Sequence, residues 1–253
     1  MKQILCYGDS NTWGLIPGTA ERYPWGVRWT SLLQERLKDR DVRILEEGLC
    51  GRTSVFEDHY RENRNGLKTL PLVLESHAPI DAAVLMLGTN DCKTHYRASA
   101  RMIGKGISLC IDALKQAIPS ENILLISPLL LGNTVWMPEK DPEFDAASVK
   151  TSGKMREMLQ KVAQKQGAHF LAASDIAKPS AVDDEHMTAE YNGPPVKTTL
   201  SNFIVNQIFP ILTLAASRAI PLVHAGSSRL RQQVALTGRW WPVTLLPLRG
   251  ARI

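Results

Sequence analysis

Three side chains with chemical capacity lie at opposite ends of one stretch of this sequence: Ser10 near its start, and Asp183 with His186 more than 170 residues on. Ser10 lies in Gly8-Asp9-Ser10-Asn11-Thr12-Trp13-Gly14, directly after the apolar run Ile4-Leu5-Cys6-Tyr7. A hydroxyl attacks a carbonyl only when a base takes its proton and a third group holds that base. Asp183-Asp184-Glu185-His186 offers both, because an Asp three residues before a His can fold back onto the imidazole, fixing its tautomer and stabilising the imidazolium. Attack on an ester also needs donors aimed at the developing oxyanion. The backbone amides of Ser10 and Gly51 and the side-chain amide of Asn90 are the candidates. Gly51 admits a close backbone approach, and Asn90, in Gly88-Thr89-Asn90-Asp91, carries two donors on a short stem. Alone, a Gly-Asp-Ser tripeptide reads as a turn and a D-x-x-H as coincidence. Asp9 is expected to cap the turn around Ser10.

These residues need a scaffold that brings them to one place. Five strand candidates alternate with helical patterns: Gln3–Tyr7, Val42–Glu46, Ala82–Leu87, Asn122–Ser127 and Ala168–Ala172. Between them, helical spacing covers Trp25–Lys38, Gly66–Ser76 with Pro71 inside it, Ala98–Ala117, and Ala146–Gln166 with Gly167 as C-cap. Such alternation predicts a mostly parallel sheet with helices on both faces, whose ligands bind beyond the carboxyl ends of the strands. Ser10, Gly51 and Asn90 each follow a predicted strand, so they gather at that edge. The long loop Leu129–Asp145 follows the fourth strand and is expected to overhang it, with Trp136 and Trp13 as substrate walls.

Composition limits the alternatives. No G-x-G-x-x-G or P-loop run supports a nucleotide site, and no cysteine pair suggests zinc or a redox motif. Four scattered cysteines and a start with no room for a signal peptide point to a reducing cytoplasm. His59, His77, His95, His169 and His224 lack an acid at turn spacing. The net charge of +5 is unevenly held. After Glu190 stand seven of the 30 basic residues and none of the 25 acidic ones, leaving 23 basic against 25 acidic in residues 1–190. This break predicts a hydrolytic domain over 1–216 and a basic extension over 217–253. Gly193-Pro194-Pro195 interrupts the chain before the apolar stretch Phe203–Ala216, which is too short and broken for a membrane span. Phe203, Ile204, Ile208, Ile211 and Leu212 form a loose helical stripe, expected to cover an apolar sheet face.

At these residues the sequence resembles the SGNH (GDSL-type) hydrolase superfamily. Gly8-Asp9-Ser10, Gly51 within Glu47–Thr53, Gly88-Thr89-Asn90-Asp91 and Asp183 with His186 match its four blocks in order. Val27-Arg28-Trp29, Glu46-Glu47-Gly48-Leu49 and the Ser-x-Thr-Trp-Gly start are similar to its arylesterase branch, which includes acyltransferases. The resemblance covers about residues 1–190. It implies a flavodoxin-like three-layer α/β/α fold with five parallel strands, an esterase acting on small acyl or aryl esters, no cofactor, no metal and a homo-oligomer. A carbohydrate O-deacetylase on the same triad is the alternative, and a third is an impaired hydrolase whose tail serves binding. No nucleic-acid partner and no membrane span are expected.

Overall fold

In the computed structural model, residues 1–192 and 200–207 are described. Five strands form one parallel sheet: β1 (Lys2–Gly8), β2 (Val42–Gly48), β3 (Ala82–Met86), β4 (Ile123–Ser127) and β5 (His169–Ala172), in the order β2-β1-β3-β4-β5. That order is the flavodoxin-like one, with its switch point between β1 and β3. The expected α/β architecture is therefore present.

Alternation along the central strands decides what covers each face. Leu5, Tyr7, Ala83, Leu85, Ile123 and Leu125 meet one set of helices, while Ile4, Cys6, Val84, Met86, Leu124 and Ile126 meet another. The first face is packed by α3 (Gly66–His77), α4 (Ala100–Leu114) and α6 (Met155–Gln166), through Leu70 and Leu74, Ile103, Ile107 and Ile111, and Met155 and Leu159. The second is packed by α2 (Trp29–Arg36) through Trp29 and Leu33. Burial on both faces explains why β3 and β4 read as nearly unbroken apolar runs.

Three helices differ from the sequence pattern. The helix expected over Trp25–Lys38 begins only at Trp29. Arg28 stays extended, its guanidinium held by Glu46 Oε1 and Oε2 at 3.1 and 3.0 Å. The pattern over Ala98–Ala117 narrows to Ala100–Leu114, capped by Ser99, whose hydroxyl accepts from Met102 N. The one expected over Ala146–Gln166 is two helices, α5 (Ala146–Ser152) and α6, parted at Gly153-Lys154. Gly167 caps α6 in the left-handed region, as its position suggests. Pro71 is accommodated inside α3 on its solvent side.

Two further short helices follow β5: α7 (Ala189–Asn192) and α8 over 200–207. Leu200 and Ile204, one helical turn apart, are fully buried in the second core with Trp29 and Leu33. Phe203, expected on that stripe, is instead 36% exposed. Ile208, Ile211 and Leu212, and the boundary expected between 216 and 217, lie outside the described residues. Ile204→Ala should cost about 2–5 kcal/mol of stability. An unchanged midpoint in urea denaturation would show that α8 does not belong to the core.

Candidate active site

β1 ends at Gly8, and the chain turns at once into α1 (Ser10–Trp13). Asp9 caps that turn as expected, its Oδ1 accepting from Asn11 N at 3.0 Å. The end of β2 lies so close that a Cβ on Gly48 would sit 2.2 Å from Trp13 N, so only glycine fits there. Ser10 is thereby fixed at the carboxyl end of β1, beside the switch point.

His186 arrives from the other end of the chain. Its Nε2 lies 2.8 Å from Ser10 Oγ, and its Nδ1 lies 2.8 Å from Asp183 Oδ2. With Nδ1–H donating to the carboxylate, the lone pair of the neutral imidazole lies on Nε2 and accepts from the serine hydroxyl. Asp183 is saturated with donors: Oδ1 accepts from Glu185 N and His186 N, and Oδ2 also accepts from Gly18 N at 3.1 Å. Burial opposes its charge, but the His186 hydrogen bond and charge and those amides together hold it below the usual carboxylate range.

The loop carrying these two residues is braced from several sides. Ser180 N donates to His186 O, and Asp184 N donates to Ser180 O. Asp184 is left-handed at φ 60°, and its carboxylate accepts from Thr134 N, the Thr134 hydroxyl and Lys140 Nζ. The 129–145 loop thus supports the histidine loop by polar contacts.

Asn11, beside the serine, ties the two halves together. Its Oδ1 accepts from Met187 N at 3.0 Å and its Nδ2 donates to Glu185 O at 3.4 Å, so one buried amide brackets His186 on both sides. Sequence reading missed it, because nothing local marks an asparagine whose partners lie 174 and 176 residues away.

Ser10, Gly51 and Asn90 line one cavity of about 160 Å³ with His186. Among the described residues, no protein acceptor takes the N–H of Ser10 or of Gly51. Gly51 has φ +81°, and a Cβ there would meet the Arg61 guanidinium at 2.6 Å. Asn90 Nδ2 donates one hydrogen to Arg52 O at 3.1 Å, which orients the amide and leaves its second N–H. Arg52 is itself buried, stacked 4.0 Å over the Tyr7 ring and donating to Gly8 O at 2.8 Å. Asp91 accepts from Ser54 N and the Ser54 hydroxyl, tying the Asn90 turn to the Gly51 loop, and burial pushes its carboxyl up to about 6.

The remaining walls are mostly charged. Leu15, Cys50, Arg61, Lys93, Asp141, Glu143 and Glu185 complete the cavity. Lys93 is paired with Glu143 and Asp141, and Arg61 with Asp58. The 129–145 loop does reach the site, but through Asp141 and Glu143. Neither tryptophan expected as a wall is among the lining residues. Trp13 lies beneath the Arg22 guanidinium at 5.3 Å, and Trp136 is 41% exposed.

The environment also corrects the proton affinity expected for an ordinary histidine, near 6.5. Burial disfavours the imidazolium, but Glu185, the Asp183 hydrogen bond and charge, and Asp9 outweigh it and raise His186 to about 9. Asp9 is pushed up to about 7 by burial.

A hydroxyl on an imidazole, an imidazole on a carboxylate, and three donors around a small cavity together suit acyl transfer. The chain belongs to the GDSL-like lipase/acylhydrolase family, whose model matches residues 6–192, and is a carboxylic ester hydrolase. No curated protein matches it. Among solved structures, a carbohydrate acetylesterase family member from Sinorhizobium meliloti is 31% identical, with a TM-score of 0.71 over 83% of this chain and 100% of its own. The native aryl esterase of M. smegmatis is 28% identical, with a TM-score of 0.73 over 83% of this chain and 100% of that one. Among the described residues, no helix is long and apolar enough to cross a membrane.

Proposed function

We propose that this protein is a serine esterase of short-chain acyl esters that works through an acyl-enzyme. Ser10 Oγ attacks the ester carbonyl while His186 Nε2 takes its proton, and Asp183 holds the imidazole. The amides of Ser10 and Gly51 and the Asn90 side chain receive the oxyanion. His186 then protonates the departing alcohol, and a water activated by the same nitrogen releases the acid. A second alcohol in place of that water would give acyl transfer. The observation that carries this reading is the unbroken hydrogen-bonded line from Ser10 Oγ through His186 to Asp183 Oδ2, both links at 2.8 Å.

The cavity supports a finer reading. About 160 Å³ accommodates an acetyl or propionyl group, and a wall bearing Arg61, Lys93, Asp141 and Glu143 favours an alcohol part with hydroxyls over a bare hydrocarbon. Carbohydrate acetates are thus the second substrate class beside simple aryl acetates, and a carbohydrate acetylesterase and an aryl esterase stand among the structural neighbours. With p-nitrophenyl esters of increasing acyl length, kcat/KM should fall at least about tenfold between acetate and hexanoate, since methylenes that find no room must displace wall side chains at a cost of about 1–3 kcal/mol. A rate that rises with chain length would reject the small-acyl reading. Acetate release from acetylated xylose, compared with p-nitrophenyl acetate, separates the two substrate classes.

A further inference from the structure

Glu185 has no place in the triad, yet it lies in the wall of the same cavity. Its side chain is 5% exposed, and among the described residues no hydrogen-bond donor reaches its carboxylate. A desolvated carboxylate without donors is costly unless a cation offsets it. The nearest is the imidazole, with Glu185 Oε2 3.8 Å from His186 Nδ1. Its backbone is fixed on both sides, the N–H by Asp183 Oδ1 at 3.1 Å and the carbonyl by Asn11 Nδ2.

We infer that Glu185 is a second counter-ion for the His186 imidazolium, a positioning residue that acts through His186 and sets the pH range in which His186 is a base. The inference rests on His186 being the base in the reaction proposed above. Ester attack makes an imidazolium in a buried place, where Asp183 supplies the hydrogen bond and Glu185 a charge from a second direction. The gain has a cost: the same charge holds the proton on His186 in the free enzyme, where the base must be neutral.

The other groups around His186 leave this role to Glu185. Asp183 shares its loop and is already saturated with donors. Asp9 faces it from the β1–α1 turn, its Oδ1 engaged by Asn11 N and its Oδ2 buried without a partner among the described residues, and adds a weaker charge to the imidazolium than Glu185 does. Asp141 and Glu143 across the cavity are paired with Lys93, and Arg61 is paired with Asp58. Burial raises Glu185, and the imidazolium draws it back down.

The sign follows. Below its midpoint His186 is protonated and cannot accept from Ser10, so kcat/KM falls as pH drops through about 9. Glu185→Gln keeps the shape and removes the charge. The His186 midpoint should then fall by about one pH unit or more, the effect of losing an opposite charge within about 4–6 Å. The acid limb of kcat/KM should move down with it, while the plateau at high pH drops several-fold because the imidazolium formed in the reaction is less stabilised.

The test is a pH titration of the His186 ring by NMR in 15N-histidine-labelled wild-type protein and E185Q. The His186 signals are assigned by their absence in His186→Gln. It is paired with pH profiles of kcat/KM on p-nitrophenyl acetate. A lower midpoint in E185Q, matched by the acid limb, supports the inference. An unchanged midpoint overturns it, as does a uniform loss of rate with no movement of the limb. Should the midpoint fall in a protein with no esterase activity, the charge coupling stands and the proposed reaction fails.

Discussion

Ser10→Ala should reduce ester hydrolysis by about a millionfold, to the level left by the oxyanion donors and substrate binding alone, as for loss of the nucleophile in a serine protease. The substitution removes one oxygen and its contact with His186 Nε2. The turn that presents it is held by other atoms: Asp9 caps Asn11, and Trp29 Nε1 donates to Asn11 O at 3.1 Å. Secondary structure and thermal midpoint should therefore stay close to wild type while turnover of p-nitrophenyl acetate vanishes. Residual activity above about one per cent would mean that another group attacks.

Asp183→Asn should lower kcat by about four orders of magnitude, the effect of losing the orienting carboxylate in a Ser-His-Asp site. A carboxamide offers one acceptor oxygen where the carboxylate uses two, against donors from Gly18 N, Glu185 N, His186 N and His186 Nδ1. Its NH2 group cannot accept the Nδ1 proton, so that proton moves to Nε2 and the base is lost. KM should change far less than kcat, because no Asp183 atom lines the cavity. A loss below about tenfold would show that Asp183 is not the residue holding His186 in its working tautomer.

Much of this site was legible in the sequence, for physical reasons that differ by residue. The central strands showed because burial on both faces demands continuous apolar runs, and β1 to β4 are each closed by glycine or proline at the edge where ligands bind. Asp183 and His186 showed because their contact is local, three residues apart. What stayed hidden depends on distant partners. Arg28 looks helical until Glu46 claims its guanidinium. Asn11 and Glu185 gain meaning only when the two ends of the chain meet. The tryptophans suggested themselves as walls by size, whereas the cavity is bounded by ion-paired side chains from three loops. The raised affinity of His186 for its proton is likewise a sum over neighbours that no spacing reveals.

An acyl group that passes through Ser10 adds its mass to the protein, and an intact-mass measurement reads it directly. The protein is mixed with excess p-nitrophenyl acetate, quenched in acid within milliseconds, weighed whole, and then digested to locate the added mass. One acetyl group on the peptide containing Ser10, absent from Ser10→Ala and accumulating in Asp183→Asn only as slowly as that variant turns over, is the predicted result. Rapid hydrolysis with no acetylated protein at any quench time, together with an active Ser10→Ala, would contradict it.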